Sequence, residues 1–391
     1  MEIRLLQGEE RFQARLIATV AFHMRMEDPE KARAESEKEN LQHWGAFGED
    51  GTLMAHMINH AFECYLDGKQ VRNGGIGGVS TLPEYRNTGA VKEIFRKLLP
   101  YAFADGEVVS TLYPFQHAFY RKFGYETVCL ENVYEFSPEV LSAGRYAFVG
   151  KAILWKTGDP VSPWTELYQR FAAGHNLAIV RDDARMAKHL EGTYYQDRKF
   201  AYLLTENGNP AAYVIFQDIR HDPAAILEVR DLAWEGPAGF RAILGFLARF
   251  TADYGTIRLP LPGEIELLSL IRSPKVYDIR KETRQDYMIR VVNAVKALEA
   301  IRKPAGSRFV IRVSDGMIPE NNGTWEVTEK AVTPTGAEPD LVVSEKALGQ
   351  LVSGAVSLQE ALYREDTELR GNRETLEHVW IRKPILVQDH F

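Results

Sequence analysis

The 391 residues predict an α/β (α+β) architecture: two successive mixed α/β units followed by a third unit of different pattern. Three observations carry this. Strand-like and helix-like apolar spacings interleave from residue 1 to about 136, as in an α/β unit built around a mixed sheet. The same order returns between about 201 and 261. From about Thr283 it changes to strands that lead into short capped helices. Cores stop growing beyond roughly 250–300 residues, so this length itself predicts more than one domain. The expected domains are 1–142, 143–284 and 285–391.

Each element has its reason. Residues 9–22 carry helical spacing in Phe12, Leu16, Ile17 and Val20, and residues 29–44 read as a second, heavily charged helix. Strands follow over 44–47, 52–65 and 71–82, the last two joined at Asp67-Gly68-Lys69, a hairpin signal. A helix over 91–103, a strand over 107–112, a short helix over 116–123 and a strand over 126–136 complete the first unit. Residues 137–142 read as a boundary. In the second unit a helix over 161–171 precedes a strand pair, 201–204 and 211–216, across the turn Asn207-Gly208-Asn209-Pro210. A strand over 226–232, a helix over 239–254 and a strand over 256–261 follow. The third unit runs from residues 287–292 into a helix over 293–301, then strands over 307–314, 322–329 and 340–344. Ser344 opens a helix as its N-cap, and a further short helix spans 358–363.

Composition narrows the class. Hydrophobic residues make up 45% and charged residues 26%, ordinary for a soluble globular protein. No apolar run approaches the ~20 residues of a membrane-spanning helix. The first residues lack the features of a signal peptide, so a cytoplasmic protein without membrane partners is expected. The net charge of −7 argues against broad nucleic-acid binding and suits a cationic small partner. Two cysteines, Cys64 and Cys129, cannot build a disulfide framework, and no metal site is expected. Cys129, among Thr127, Val128 and Leu130, reads as a buried small hydrophobe.

The chemistry concentrates at Val79-Ser80-Thr81-Leu82-Pro83-Glu84-Tyr85-Arg86-Asn87-Thr88-Gly89-Ala90-Val91-Lys92. A strand ends at a proline, turns through Arg-x-x-Gly and opens into a helix. That order gathers backbone N–H groups and the positive end of a helix dipole at one point, which makes an anion site. Gly89 allows close backbone approach, and Lys92 is placed to meet a phosphate as a point charge. The second unit has Glu235-Gly236-Pro237-Ala238-Gly239 at the corresponding place. An acidic residue there takes the anion's position, so that unit is expected to be catalytically empty.

With the block Phe119-Tyr120-Arg121-Lys122-Phe123-Gly124-Tyr125-Glu126, the motif resembles the two signature blocks of GCN5-related N-acetyltransferases (GNAT), which bind acetyl-CoA. The whole chain, including Glu282-Thr283-Arg284-Gln285-Asp286, resembles the Eis (enhanced intracellular survival) family. The resemblance implies tandem GNAT folds, the second degenerate, followed by a sterol-carrier-protein-like domain, and a homo-oligomer, a hexamer. It implies acetyl-CoA as co-substrate and no metal. Its cofactor contacts fall on Val79, Ser80, Thr81, Arg86, Asn87, Thr88, Gly89, Ala90, Val91, Lys92, Phe115 and Gln116. Val79 and Thr81 would pair with the pantetheine amides as a strand edge pairs with a peptide. Its general acid falls on Tyr120 and its base on the main-chain carboxylate of Phe391. This chain has Val91 where the wider pattern has Gly or Ala, and Asn87 and Thr88 where the family loop carries arginines.

The resulting expectation is an N-acetyltransferase that moves an acetyl group to a primary amine, an aminoglycoside-like polyamine or other small amine, by direct ternary-complex transfer. An attacking amine must lose a proton and the departing thiolate must regain one, which gives Tyr120 and Phe391 their roles. His117 is a second acid–base candidate, and Asp28 or Glu27 a candidate contact for the amine. Two rival readings stand beside it: an acyl-CoA-binding protein whose catalysis has lapsed, and a lipid carrier acting through the C-terminal domain.

Overall fold

A computed structural model describes residues 1–38, 41–128, 131–143, 146, 148–221, 224–271 and 278–391. Cys129 and Leu130 lie outside the described residues. The first unit opens with β1 (Glu2–Leu5), α1 (Glu9–Ala21) and α2 (Pro29–Lys38). Strands β2 (Gln42–Phe47), β3 (Leu53–Leu66) and β4 (Lys69–Thr81) follow, then helix α3 (Ala90–Asp105), β5 (Val109–Leu112), α4 (His117–Arg121) and β6 (Glu126–Thr127). The charged helix, described over Pro29–Lys38, does not extend to the expected residue 44. Trp44 instead lies in β2 and is buried, because its ring belongs to the core under α3.

The first sheet has seven strands in the order β1-β2-β3-β4-β5, then Met288–Val291, then β6. Only β4 and β5 run parallel, with α3 as their crossover. Helix α3 buries Ile94, Phe95, Leu98, Leu99 and Ala102, one apolar stripe at helical spacing, against Trp44, Met57, Ile76 and Leu112. Burying each large side chain stabilises by roughly 1.5–3 kcal/mol. Gly106, in the left-handed region, ends the helix.

The strand expected over 126–136 is two strands in two sheets. β6 ends the first sheet, and β7 (Glu131–Phe136) pairs in the second with Thr256–Pro262 on one side and Ile279–Arg284 on the other. From Ile279–Arg284 the chain returns to the first sheet as Met288–Val291, antiparallel to both β5 and β6. The two units are therefore laced together by strands that each lends across the boundary. The second sheet repeats the plan of the first: the parallel pair Ala224–Trp234 and Thr256–Pro262 is joined by the helix Gly236–Leu247.

The third unit is a five-stranded sheet, ordered Val332–Pro334, Gly323–Thr328, Arg308–Ser314, Leu341–Ser344 and Thr367–Leu369. Ser344 caps the helix Glu345–Ser353, its hydroxyl accepting from the Ala347 amide at 3.2 Å. Phe309, Ile311, Trp325, Val343, Leu351 and Trp380 form one cluster that continues into Val109 and Ile289 of the first sheet and Ile179 of the second unit. This cluster links the three units, while the first and second units keep further cores of their own.

Candidate active site

The site is built where β4 leaves β5. Their parallel pairing runs from Asn73–Val109 to Ile76–Leu112 and stops. Beyond it β4 continues to Thr81 with β3 still at its other edge. A β-bulge lies in this stretch: the register slips between His56 and Ile58, opposite Gly78, whose φ is +60°. A bulge adds twist and bends its strand, which swings Val79–Thr81 away from β5. The result is a splayed pair of parallel strands with a free strand edge.

That opening leads into a cavity of about 1400 Å³. Its walls include Val79, Ser80, Thr81, Arg86, Asn87, Gly89, Ala90, Val91, Lys92 and Phe115, ten of the residues the sequence singles out. Thr88 and Gln116 are not among the lining residues, and neither are Tyr120 and Phe391. The Thr88 hydroxyl donates to the Tyr85 carbonyl at 2.7 Å and tightens the turn, while Gln116 stands at the N-cap of α4. Gly89, at φ +87°, is the N-cap of α3, and no side chain caps this helix. The first amides of α3 therefore face a cavity ringed by Arg86, Lys92, Arg96 and Lys122. Nothing lies within 4 Å of where a Gly89 side chain would begin. An uncapped helix start, an open glycine and four cations fit a pyrophosphate, and the free strand edge fits an amide-bearing arm.

The sequence reading omits Arg96 and Lys122. Arg96 stands four residues after Lys92, on the same helix face. It also omits Ala21 and Phe22 at the end of α1, and Gly316 and Met317, which reach the cavity from the third unit.

Tyr120 lies on α4 and is buried among rings: Phe119, Phe115, Tyr125 and Phe95 stand 5.1, 5.4, 6.3 and 6.4 Å away between centroids. Burial pushes its phenol well above the usual tyrosine range, so the hydroxyl stays protonated. Neighbouring Tyr125 is tied down, its hydroxyl 2.8 Å from Ser110 Oγ, which in turn donates to the Gly74 carbonyl at 2.8 Å.

Phe391 lies against β4 at Gly75 and Gly77, where the pairing with β5 stops. Its ring packs against Phe62, His60, Tyr113 and Tyr287 at 5.0, 5.6, 5.7 and 6.5 Å. A Cβ placed on Gly77, the first residue past the last β4–β5 pair, would stand 3.3 Å from the carboxyl carbon and oxygen of Phe391 and 3.0 Å from His60 Nε2. Glycine at 77 makes room for both groups. His60 has no motif to announce it, since it is one residue in a long strand.

The other candidates serve the framework. His117 Nε2 is 2.9 Å from the Gln285 carbonyl, and Asp28 accepts from the Lys31 amide at 2.9 Å at the start of α2. Cys64 is fully buried, and burial pushes its thiol pKa up, away from thiolate chemistry. In the second unit Glu235 stands at the N-cap of Gly236–Leu247, and its carboxylate is 3.4 Å from Arg170. Among the described residues no cluster of His, Cys, Asp and Glu could hold a metal ion, and no helix is long and apolar enough to cross a membrane.

Family models match three stretches of the chain. Residues 2–128 match an acetyltransferase (GNAT) domain, residues 177–291 match a second acetyltransferase (GNAT) domain, and residues 291–384 match a sterol carrier protein domain. Among solved structures, a GCN5-related N-acetyltransferase from Anabaena variabilis is similar over 100% of both chains, with TM-score 0.85 and 20% identity. Eis1 from Mycobacterium abscessus is similar over 100% of both chains, with TM-score 0.84 and 20% identity. A probable N-acyltransferase from Enterococcus faecalis matches over 100% of this chain and 99% of its own, with TM-score 0.86 and 19% identity. A search of curated protein sequences gives no significant match. Identities this low speak for a shared fold. The chain carries two acetyltransferase (GNAT) domains followed by a sterol carrier protein domain. Its fold is similar to that of Eis1 over the full length of both chains.

Proposed function

We propose that this protein transfers the acetyl group of acetyl-CoA directly to a primary amine of a small polycationic molecule. The observation that carries the reading is the splay of β4 from β5, opening into a cation-ringed cavity beneath an uncapped helix. Acetyl-CoA supplies the activated thioester. The α3 amides with Arg86, Lys92, Arg96 and Lys122 hold its phosphates, and Val79–Thr81 present a strand edge to its pantetheine arm. Tyr120 gives its proton to the departing thiolate. Its burial makes it a weaker acid than a phenol in water, and the same dry surroundings make the thiolate a stronger base, so the transfer stays matched.

The carboxyl group of Phe391 orients the amine and relays its proton. A carboxylate is a feeble base in water, with a pKa near ~3.5, so holding a cationic amine is as much its work as taking the proton. Direct transfer is favoured because neither motif, Val79–Lys92 or Phe119–Glu126, carries a cysteine nucleophile for a covalent relay. The acidic chain, net −7, favours a cationic acceptor. A cytoplasmic hexamer that engages neither nucleic acid nor membrane belongs to the same proposal and rests on the resemblance and composition; light scattering tests the assembly. The experiment for the chemistry is an initial-rate grid in acetyl-CoA and amine. Intersecting lines are expected, and parallel lines would replace direct transfer with a covalent intermediate.

A further inference from the structure

The last residues of the chain are held by the second GNAT-like unit, and the manner of holding has a chemical consequence at the first. Arg181 is fully buried and forks between two carboxylates: Nη1 donates to Asp231 Oδ2 at 2.6 Å, and Nε donates to Asp389 Oδ2 at 3.1 Å. Its guanidinium lies 3.9 Å from the ring centroid of Tyr168, and Tyr213 donates to Asp231 Oδ1 at 3.1 Å. His189 bridges the same pair, with Nδ1 3.1 Å from Asp231 and Nε2 3.0 Å from Asp389. Arg185 stands 3.6 Å from Asp389 and covers the ring of Phe62 at 4.4 Å. Asp231, Asp389 and Arg181 are each less than a twentieth exposed.

The backbone around Asp389 is fixed too. The Asn176 amide donates to the Pro384 carbonyl at 2.8 Å, and the Leu386 amide donates to the Asn176 carbonyl at 3.1 Å. The Gln388 side chain donates to the Leu232 carbonyl at 3.0 Å. Asp389 is the hinge between units. Its side chain belongs to the second, while its carbonyl accepts from the Tyr113 hydroxyl at 2.9 Å, and Tyr113 directly follows the last residue of β5 at the splay. Two residues further on is the carboxyl group of Phe391.

Buried ion pairs contribute little net stability against an apolar packing of equal size, but they specify geometry because every alternative leaves a charge unpaired. We propose that the second GNAT-like unit acts as a clamp for the first: Arg181, with Asp231 and His189, grips Asp389 and thereby positions the Phe391 carboxyl group at the β4–β5 opening. Arg181 is then a positioning residue that touches neither substrate. The proposal rests on the role given above to Phe391.

The test uses the full-length Asp389→Ala enzyme and three readouts. Misplacing a reacting group by about 1 Å can cost ~100-fold, so kcat is expected to fall between ~10- and ~100-fold while the KM for acetyl-CoA moves less than ~3-fold. Carboxypeptidase A should release Phe391 at least ~10-fold faster than from the wild type, read by mass spectrometry, because the clamped tail is protected from opening. In a chain already lacking Phe391, Asp389→Ala should lower kcat no further, since coupled sites do not add. Arg181→Lys, which keeps the buried charge but not the fork to two carboxylates, should give the same pattern more weakly and serves if Asp389→Ala does not fold. Wild-type kcat in both variants, or Phe391 released at the wild-type rate, would overturn the clamp. If deletion of Phe391 itself leaves kcat unchanged, the role of its carboxyl group fails instead, and the carboxypeptidase comparison still decides whether the clamp exists.

Discussion

Glu107 shows how the first unit handles a charge it does not expose. Its side chain is buried between β3 and β4, accepting from Asn59 Nδ2 at 2.7 Å, and its second oxygen has no partner among the described residues. Burial, opposed by the Asn59 hydrogen bond, raises its pKa from 4.5 to about 7. The folded protein therefore keeps this proton where the unfolded chain has lost it. The associated stability is complete below about 4.5 and disappears as pH rises through about 7. Glu107→Gln removes that dependence. At about pH 8 the variant should be more stable than the wild type by on the order of 2–3 kcal/mol, and near pH 4 the two should converge. Urea unfolding at both pH values measures this; equal stability at the higher pH would mean that folding does not raise the Glu107 pKa.

At the scale of elements, one strand carries the site. β4 pairs along its whole length with β3, pairs with β5 only to Ile76, and bulges at Gly78. Gly77→Ala puts a methyl group 3.3 Å from the Phe391 carboxyl group and 3.0 Å from His60. Those groups must yield by a few tenths of an ångström. The expected result is a kcat loss of ~10-fold with the acetyl-CoA KM nearly unchanged, since the phosphate cradle lies on another element. Steady-state kinetics decide it, and an unaltered kcat would mean the carboxyl group does not need that position.

The loop that lines the cavity is legible in the sequence, because a strand, a proline, Arg-x-x-Gly and a helical spacing are all local signals. The aromatic block with Tyr120 was legible for the same reason. Arg96 and Lys122 were not, since a cation on an exposed helix face is ordinary until the fold turns it toward a cavity. The run 126–136 carries no turn residue to mark where its two halves part. Local preference records an extended chain but not the neighbour it pairs with. The same blindness hid Met288–Val291, which joins the first sheet across more than 150 residues of chain.

At the scale of the molecule, the third unit is part of the site's construction. Asp315 is buried, accepts from Arg290 Nη2 at 2.6 Å, and gathers the Met317 and Ile318 amides at 2.8 and 3.0 Å. Arg290 belongs to the strand Met288–Val291 of the first sheet. The pair pins the loop that brings Gly316 and Met317 to the cavity. Asp315→Ala leaves a buried guanidinium without its strongest partner, which costs about 3–5 kcal/mol when one member of such a pair is removed. The melting temperature should fall and the acetyl-CoA KM should rise together. A variant that melts lower yet binds acetyl-CoA as the wild type does would separate the third unit from the site. The aromatic and aliphatic side chains of that unit are engaged with one another and with both GNAT units.

The claim on which these expectations depend is that the opening between β4 and β5 performs acetyl transfer. The most direct measurement is acetyl-CoA-dependent thiol release by the wild type and by Tyr120→Phe, across polyamines, aminoglycosides and lysine peptides. Turnover with a polycationic small amine, falling ~100-fold or more in the phenylalanine variant at unchanged thermal stability, is the predicted result. Release with no amine in the panel while acetyl-CoA binds, or equal rates from the two proteins, would contradict it.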